Sequence, residues 1–249
     1  MPAGISARKS FVVNLISLMH YRLLLPLLAG PALGFGQSTG TVGNNYTDVL
    51  DKGNSIVAFS PPDDGVQGSP LLLRAWTPAA VLLRGNAAPK LVPVKYDVVH
   101  QQLRVRRAQG DSVVVPLGQL QEFTLTPGPA ARRFVPLGAS GAPDGFAEVL
   151  TPGLHLQLLK YWDKAVEQAP ASTSSYAAPA SVSAYADRPK YYLRGPNGRL
   201  AEVRPKRASL QEVLAAYPAA EQALKARKGS LSTEAELCAT VAALDPLVP

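Results

Sequence analysis

The chain has 249 residues, 47% of them hydrophobic and 17% charged, with 25 Lys and Arg against 18 Asp and Glu for a formal net charge of +7. That balance excludes a chain disordered throughout, and the length suits one domain with a small appendage. The 23 prolines and 20 glycines argue for many turns and few long helices, and the single cysteine, Cys238, excludes an internal disulfide.

Residues 1–36 contain Arg8, Lys9 and Arg22 and no acidic group, and an apolar run extends from Leu23 to Gly36. A basic region followed by an apolar one is the pattern of a secretory signal peptide. The run is too short for a bilayer, which needs about 20 apolar residues in a helix, and Pro26 and Pro31 interrupt it. Small Gly34 and Gly36 flank Phe35, so cleavage is expected between Gly36 and Gln37. Met19 is an alternative start, because His20 and Arg22 separate the upstream run Phe11 to Leu18 from the second one. An uncleaved membrane anchor is the other reading of this segment. No cysteine follows the apolar run, which argues against a lipoprotein. Subtracting the three basic residues from 25 leaves 22 against 18 acidic groups, a net of +4 for the mature chain. The expectation is an exported protein, periplasmic, outer-surface associated or secreted, with no stable transmembrane span after processing.

Residues 37–54, rich in Gly, Asn and Thr and without period, read as a flexible leading segment. Residues 55–207 are expected to form an antiparallel β domain. Its short apolar or alternating runs are Pro70–Trp76, Ala80–Arg84, Leu91–Val99, Leu103–Arg107, Ser112–Val115, Gln121–Thr126, Arg133–Leu137, Phe146–Leu150 and Leu154–Tyr161. Turn residues separate them at hairpin spacing. Leu103 and Val105 share one side while Arg104 and Arg106 take the other, the pattern of a sheet with one packed and one solvated face. Thr151-Pro152-Gly153 suits a type II turn that would pair Glu148-Val149-Leu150 with Leu154-His155-Leu156. The Ala-, Ser- and Pro-rich stretch 165–187 lacks a register and reads as a loop. Asn197-Gly198 then turns a last hairpin, from Lys190–Arg194 into Arg199–Val203.

Residues 208–249 are helical in pattern. Ser209 with Glu212 reads as a capping box, and Leu210, Val213, Leu214 and Tyr217 follow at one helix face. Pro218 opens a second helix that stops at Gly229; Thr233 with Glu236 repeats the box before Leu237, Val241 and Leu244. Such short helices are marginal alone, so their apolar faces must dock on the sheet or a partner. The fold class expected is therefore mainly β (α+β), an antiparallel meander forming a curved sheet or partly open barrel, with a short C-terminal helical appendage.

Catalytic candidates are few. After cleavage only His100 and His155 remain, with Asp97 or Glu148 as conceivable carboxylate partners for a small hydrolase. Two histidines without ligand spacing give no zinc signature, and no cofactor is implied. Gly138-Ala139-Ser140-Gly141 misses the Gly-x-Ser-x-Gly elbow because Ala142 stands in the last glycine's place. Asp63-Asp64-Gly65 and Asp144-Gly145 read as turns rather than a calcium loop, and Asn45-Tyr46-Thr47 is a bare glycosylation triplet. Basic residues gather at Arg104, Arg106 and Arg107, at Arg132 and Arg133, and at Arg204, Lys206 and Arg207. Brought together by the strands, Arg104, Arg106, Arg132, Arg133, Arg204 and Lys206 would form a face for an anionic ligand; otherwise they are a solvated sheet face. Export and the want of aromatic-basic interleaving argue against nucleic acid. Cys238, beside Leu237 on the last helix, reads as a structural thiol.

The succession of Gly68-Ser69-Pro70-Leu71-Leu72, Lys95-Tyr96-Asp97 before Leu103-Arg104-Val105, Phe146-Ala147-Glu148-Val149-Leu150, Tyr191-Tyr192-Leu193 and a helical tail resembles uncharacterised exported proteins of Bacteroidota-type bacteria. The resemblance implies an envelope or secreted location and no activity. The reading is an exported, non-enzymatic binding or scaffold module whose partner is an envelope protein, glycan or lipid. The alternatives are the hydrolase on His155 or His100 and a carrier of an apolar ligand.

Overall fold

The computed structural model describes residues 65–126, 131–138, 142–168 and 183–249. The signal segment with its Gly36 and Gln37 junction, the leading segment 37–54, residues 139–141 and most of the stretch 165–187 lie outside the described residues.

Twelve strands are described: β1 (Thr77–Leu83), β2 (Lys90–Asp97), β3 (Gln102–Arg106), β4 (Ser112–Val115), β5 (Leu120–Leu125), β6 (Arg132–Pro136), β7 (Phe146–Pro152), β8 (Gln157–Tyr161), β9 (Lys164–Gln168), β10 (Ser183–Asp187), β11 (Lys190–Arg194) and β12 (Leu200–Val203). Three helices follow: α1 (Arg207–Leu214), α2 (Pro218–Ala226) and α3 (Glu234–Leu244). Ten strands make one antiparallel sheet in the order β12-β11-β8-β7-β6-β5-β1-β2-β3-β4, while β9 and β10 pair separately. The protein is thus mainly β, with a large sheet that does not close into a barrel and a short C-terminal group of helices. The sheet departs from a simple meander at two points, one of them where β11 rather than β9 pairs with β8. After edge strand β4 a 3₁₀ turn, Leu117–Gln119, leads β5 back to pair with β1.

Alternation decides which side of each strand is packed. In β3, Leu103 and Val105 are fully buried while Arg106 is exposed, and in β4 Val113 and Val115 are buried. These side chains join Ala79, Val81, Leu83, Val94, Phe123, Leu125, Phe134 and Phe146 in one cluster drawn from β1 to β7, to which no helix contributes. The strands themselves therefore enclose that core, which requires the sheet to curve. Its centre is aromatic: the cross-strand pair Phe123 and Phe134 stacks at 4.7 Å, and Tyr96 meets both rings edge-on at 5.2 and 5.7 Å. The Tyr96 hydroxyl donates to Gln101 Oε1, and burial pushes its pKa far up. Gln101 holds the left-handed φ of 52° and donates to the carbonyls of Val98 at 2.7 Å and Trp162 at 3.1 Å. Those bonds offset a conformation that is uncommon outside glycine.

A second cluster joins Leu156, Leu158, Leu193 and Val203 of the other sheet end to Leu210, Leu214, Leu224, Leu237, Val241 and Leu244 of the helices. A third lies on the opposite side of the same strands, where Leu159, Tyr161 and Tyr192 pack with Val135 and Ala147. Adjacent Leu158 and Leu159 thus serve different cores, as a period of two demands.

Four local expectations change. Pro70–Trp76 forms no strand; Leu71 makes only an isolated bridge to Asp97. The β7–β8 turn falls at residues 153–156, with Thr151 opposite Leu158 and Glu148 opposite Lys160, because a bulge between Val149 and Thr151 shifts the register. The ends of the stretch 165–187 pair as β9 and β10, with Tyr185 opposite Val166, so backbone pairing ordered what side-chain period did not reveal. Helix α1 starts after Lys206, three residues before the expected cap at Ser209, and Ser209 Oγ accepts the N–H of Arg204 at 3.0 Å instead of capping. The box at Thr233 and Glu236 does form on α3, and Pro218 does open α2.

Candidate functional site

The tight hairpin β11–β12 and the C-terminal half of α1 leave a concave groove between them. Its volume is about 470 Å3, and its walls include Leu156, Leu193, Val213, Tyr217, Asn197, Arg199 and Glu212. That volume falls in the range of small-molecule sites, roughly 300–1,000 Å3. Leu156 and Leu193 reach it from the sheet and Val213 from the helix, all packed in or against the helix-side core. Tyr217 enters because Gly195 makes room. A Cβ at that position would stand 2.7 Å from the Tyr217 hydroxyl, closer than real contacts allow.

Several polar groups of the groove keep hydrogen-bonding capacity to spare. Among the described residues, Arg199 and Glu212 have no ion pair and the Tyr217 hydroxyl no hydrogen bond. Asn197 Oδ1 accepts the backbone N–H of Arg199 at 3.0 Å, which sets the turn and leaves the amide nitrogen available. An apolar floor with a guanidinium, the two carboxylates of Glu202 and Glu212, a carboxamide and a phenol around it can hold a ligand by stacking and directed hydrogen bonds.

The six basic residues singled out in the sequence are not brought together. Their strands β3, β6 and β12 occupy the ninth, fifth and first places of the ten-strand order. Arg104 lies 3.6 Å from the buried carboxylate of Asp97, while Arg106 is exposed on the same strand. Arg132 and Arg133, being neighbours on β6, point to opposite faces. Arg132 donates from Nε and Nη2 to the two oxygens of Glu148 at 2.8 and 2.7 Å, and Arg133 donates to Glu122 at 2.7 Å. Arg204 and Lys206 stand exposed between β12 and α1.

Glu148 belongs to a larger polar network that fastens α3 to the sheet. Trp162 Nε1 donates to Glu148 at 2.7 Å, and Lys160 Nζ packs 3.9 Å from the Trp162 ring centroid while reaching Glu234 at 2.6 Å. Tyr191 donates to the same Glu234 oxygen at 2.8 Å. Burial works against ionisation of Glu234, but the bonds from Lys160 and Tyr191 outweigh it and hold the carboxyl below its usual range. Burial and that neighbouring carboxylate push the Tyr191 hydroxyl far up. Every member has its partner, so the network reads as a structural fastening.

Of the two histidines, His100 sits half-exposed in the β2–β3 turn with Nδ1 donating to Asp97 Oδ2 at 3.0 Å. Asp97 also accepts the backbone N–H groups of Val99 and His100 at 3.1 and 3.0 Å, which pins the turn. His155 lies in the β7–β8 turn, where its backbone N–H donates to Asp245 at 2.8 Å. Glu148 is engaged by Arg132 and Trp162 rather than by a histidine. Among the described residues no group of three or more His, Cys, Asp and Glu could hold a metal ion, and no helix is long and apolar enough to cross a membrane. Sequence reading missed the groove, since Arg199, Glu212 and Tyr217 form no motif; the only local sign was a tight Asn-Gly hairpin shortly before an amphipathic helix. No protein-family model, curated protein or solved structure matches the chain.

Proposed function

We propose that this protein is an exported, non-enzymatic binding module of the cell envelope or the secreted fraction, and that its ligand occupies the groove between the β11–β12 hairpin and α1. The observation that carries this reading is the coexistence, in about 470 Å3, of an apolar floor with Arg199 and Glu212, which have no partners of their own. The lining sets one guanidinium, Arg199, against two carboxylates, Glu202 and Glu212, and offers donors and acceptors on several sides. A short neutral oligosaccharide suits it, because hydroxyls pair with guanidinium, carboxylate and carboxamide alike while Tyr217 stacks on the sugar's C–H face.

The test is a titration of the purified mature chain against a panel of neutral oligosaccharides, with Arg199→Ala and Glu212→Ala as variants. Binding that falls at least about tenfold in each variant, the loss of roughly one charge-assisted hydrogen bond, is the expected result. Binding that ignores both substitutions, or no binding across the panel, overturns the assignment. Cell fractionation with N-terminal sequencing is expected to recover a chain beginning at Gln37 outside the cytoplasm.

A small hydrolase on His100 is the second reading, favoured by the 3.0 Å contact with Asp97 that directs Nε2 outward. It requires esterase or amidase turnover that His100→Ala abolishes.

A further inference from the structure

Arg207, the first residue of α1, donates from Nη1 to the carbonyl of Leu224 at 2.5 Å and from Nη2 to the carbonyl of Gly229 at 2.9 Å. These bonds tie the start of α1 to the end of α2, and they decide where four other cations lie. Arg204 and Lys206 precede the anchor in sequence, and Arg227 and Lys228 fall between its two acceptors. All four are exposed, and among the described residues none of them pairs with a carboxylate. Lys225, in contrast, is neutralised by Glu221 at 2.5 Å.

Helix electrostatics account for only part of this cluster. Arg227 and Lys228 follow the C-terminus of α2, where the macrodipole favours cations. Arg204, Lys206 and Arg207 gather at the opposite kind of end, the N-terminus of α1, which has no acidic residue in its first turn and no side-chain cap. Positive charge there weakens the helix. Arg207 gains its two carbonyl bonds in return, but Arg204 and Lys206 break the local rule without a local gain, which points to a use outside the chain. Without these five cations the sequence from Gln37 onward carries 17 basic against 18 acidic residues.

We propose that this α1–α2 corner is a docking surface for a linear acidic polysaccharide. Among the described residues, none of the exposed large apolar side chains, Leu91, Leu154, Val166 and Leu247, belongs to α1, α2 or the segments that carry these cations. Attachment to a lipid surface adds apolar burial to charge, whereas a carboxylated polymer needs only cations spaced along its path and gains from the counterions it releases. The surface is separate from the groove and stands or falls without it.

The experiment measures binding of alginate to the mature chain at about 50 and about 200 mM salt, a range over which counterion release reads out clearly. Phosphatidylglycerol vesicles are compared, and Arg204→Ser/Lys206→Ser, Arg227→Ser/Lys228→Ser and the control variant Arg106→Ser are tested. Arg207 is left intact because it holds the corner together. Alginate affinity is expected to drop on the order of tenfold between the two salt concentrations and about tenfold in each double variant, with unchanged circular dichroism. Arg106→Ser, an exposed cation on β3 outside both the corner and the groove, sets the baseline of full binding. Alginate affinity that survives both double variants, tighter binding to the vesicles than to alginate, or no alginate binding at low salt would each overturn the proposal.

Discussion

The Asp245 carboxylate closes a turn far upstream of it: its Oδ1 accepts the backbone N–H of Leu156 at 2.6 Å, across 89 residues of sequence. The same oxygen accepts from His155 at 2.8 Å, and Oδ2 accepts from Leu154 at 3.0 Å. Three consecutive amides thus converge on one side chain placed just past the end of α3, which pins the helical group to the β7–β8 hairpin. Replacement by Asn keeps the shape and an oxygen for His155 and Leu156, but removes the charge and turns an NH2 toward the Leu154 N–H. Asp245→Asn is expected to cost about 1–2 kcal/mol, seen as a lower melting temperature.

Gly153 sits where this turn is tightest. A Cβ there would overlap the Leu156 carbonyl oxygen and stand 2.6 Å from Asp245 Oδ1. Gly153→Ala must therefore displace the carboxylate and the backbone together. Its melting temperature is expected to fall below that of Asp245→Asn, and a variant equal to wild type would show that the turn relaxes freely.

Acid should loosen the C-terminal helices before the sheet. Glu234, Glu236 and Asp245 all lie on one twelve-residue stretch and all titrate below their usual range, Glu236 at about 2. For Glu236 the cause is the bonds it accepts from Ser230, Ser232 and Thr233; for Asp245 burial opposes ionisation, but the three amides prevail. A depressed folded-state pKa gives stability that is complete above the unfolded value, roughly 4, and is lost as pH falls through the folded one. Melting temperature is expected to be flat from neutrality to about pH 5 and to decline toward about pH 2, with helical hydrogen-exchange protection lost first. A decline on the alkaline side alone would contradict this.

Lys160 and Glu234 should behave as a coupled pair. Their contact at 2.6 Å is roofed by Trp162, and Lys160 is nearly buried. Lys160→Met strands a carboxylate and Glu234→Gln strands an ammonium, whereas the double variant strands neither. A double-mutant cycle in denaturant is expected to show coupling of about 1–3 kcal/mol.

Two capping boxes written alike in the sequence met different fates, which shows how far local reading reaches. Thr233 and Glu236 cap α3 as expected, with Glu236 N–H donating to Thr233 Oγ1 at 3.2 Å. Ser209 and Glu212 do not, because Ser209 is taken by Arg204 N–H and the cap of α1 falls three residues earlier, at Lys206. The motif states what a segment can do; the preceding turn decided whether it did. Likewise Glu212 was read as a capping residue and instead lines the groove.

Alternation in Leu103-Arg104-Val105-Arg106, the Asn197-Gly198 hairpin and the apolar face of Leu237, Val241 and Leu244 were legible in the sequence, because each depends on residues within one turn or one pleat. The sequence alone thereby determined a mainly β chain with a docked helical tail. Only the tertiary structure decided that β5 returns beside β1, that Asp245 places the β7–β8 turn, that Arg207 gathers cations from two helices, and that Arg199 meets Glu212 across a groove. These are contacts between segments distant in sequence, and they form only when burial of shared apolar surface outweighs the entropy of closing the chain between them.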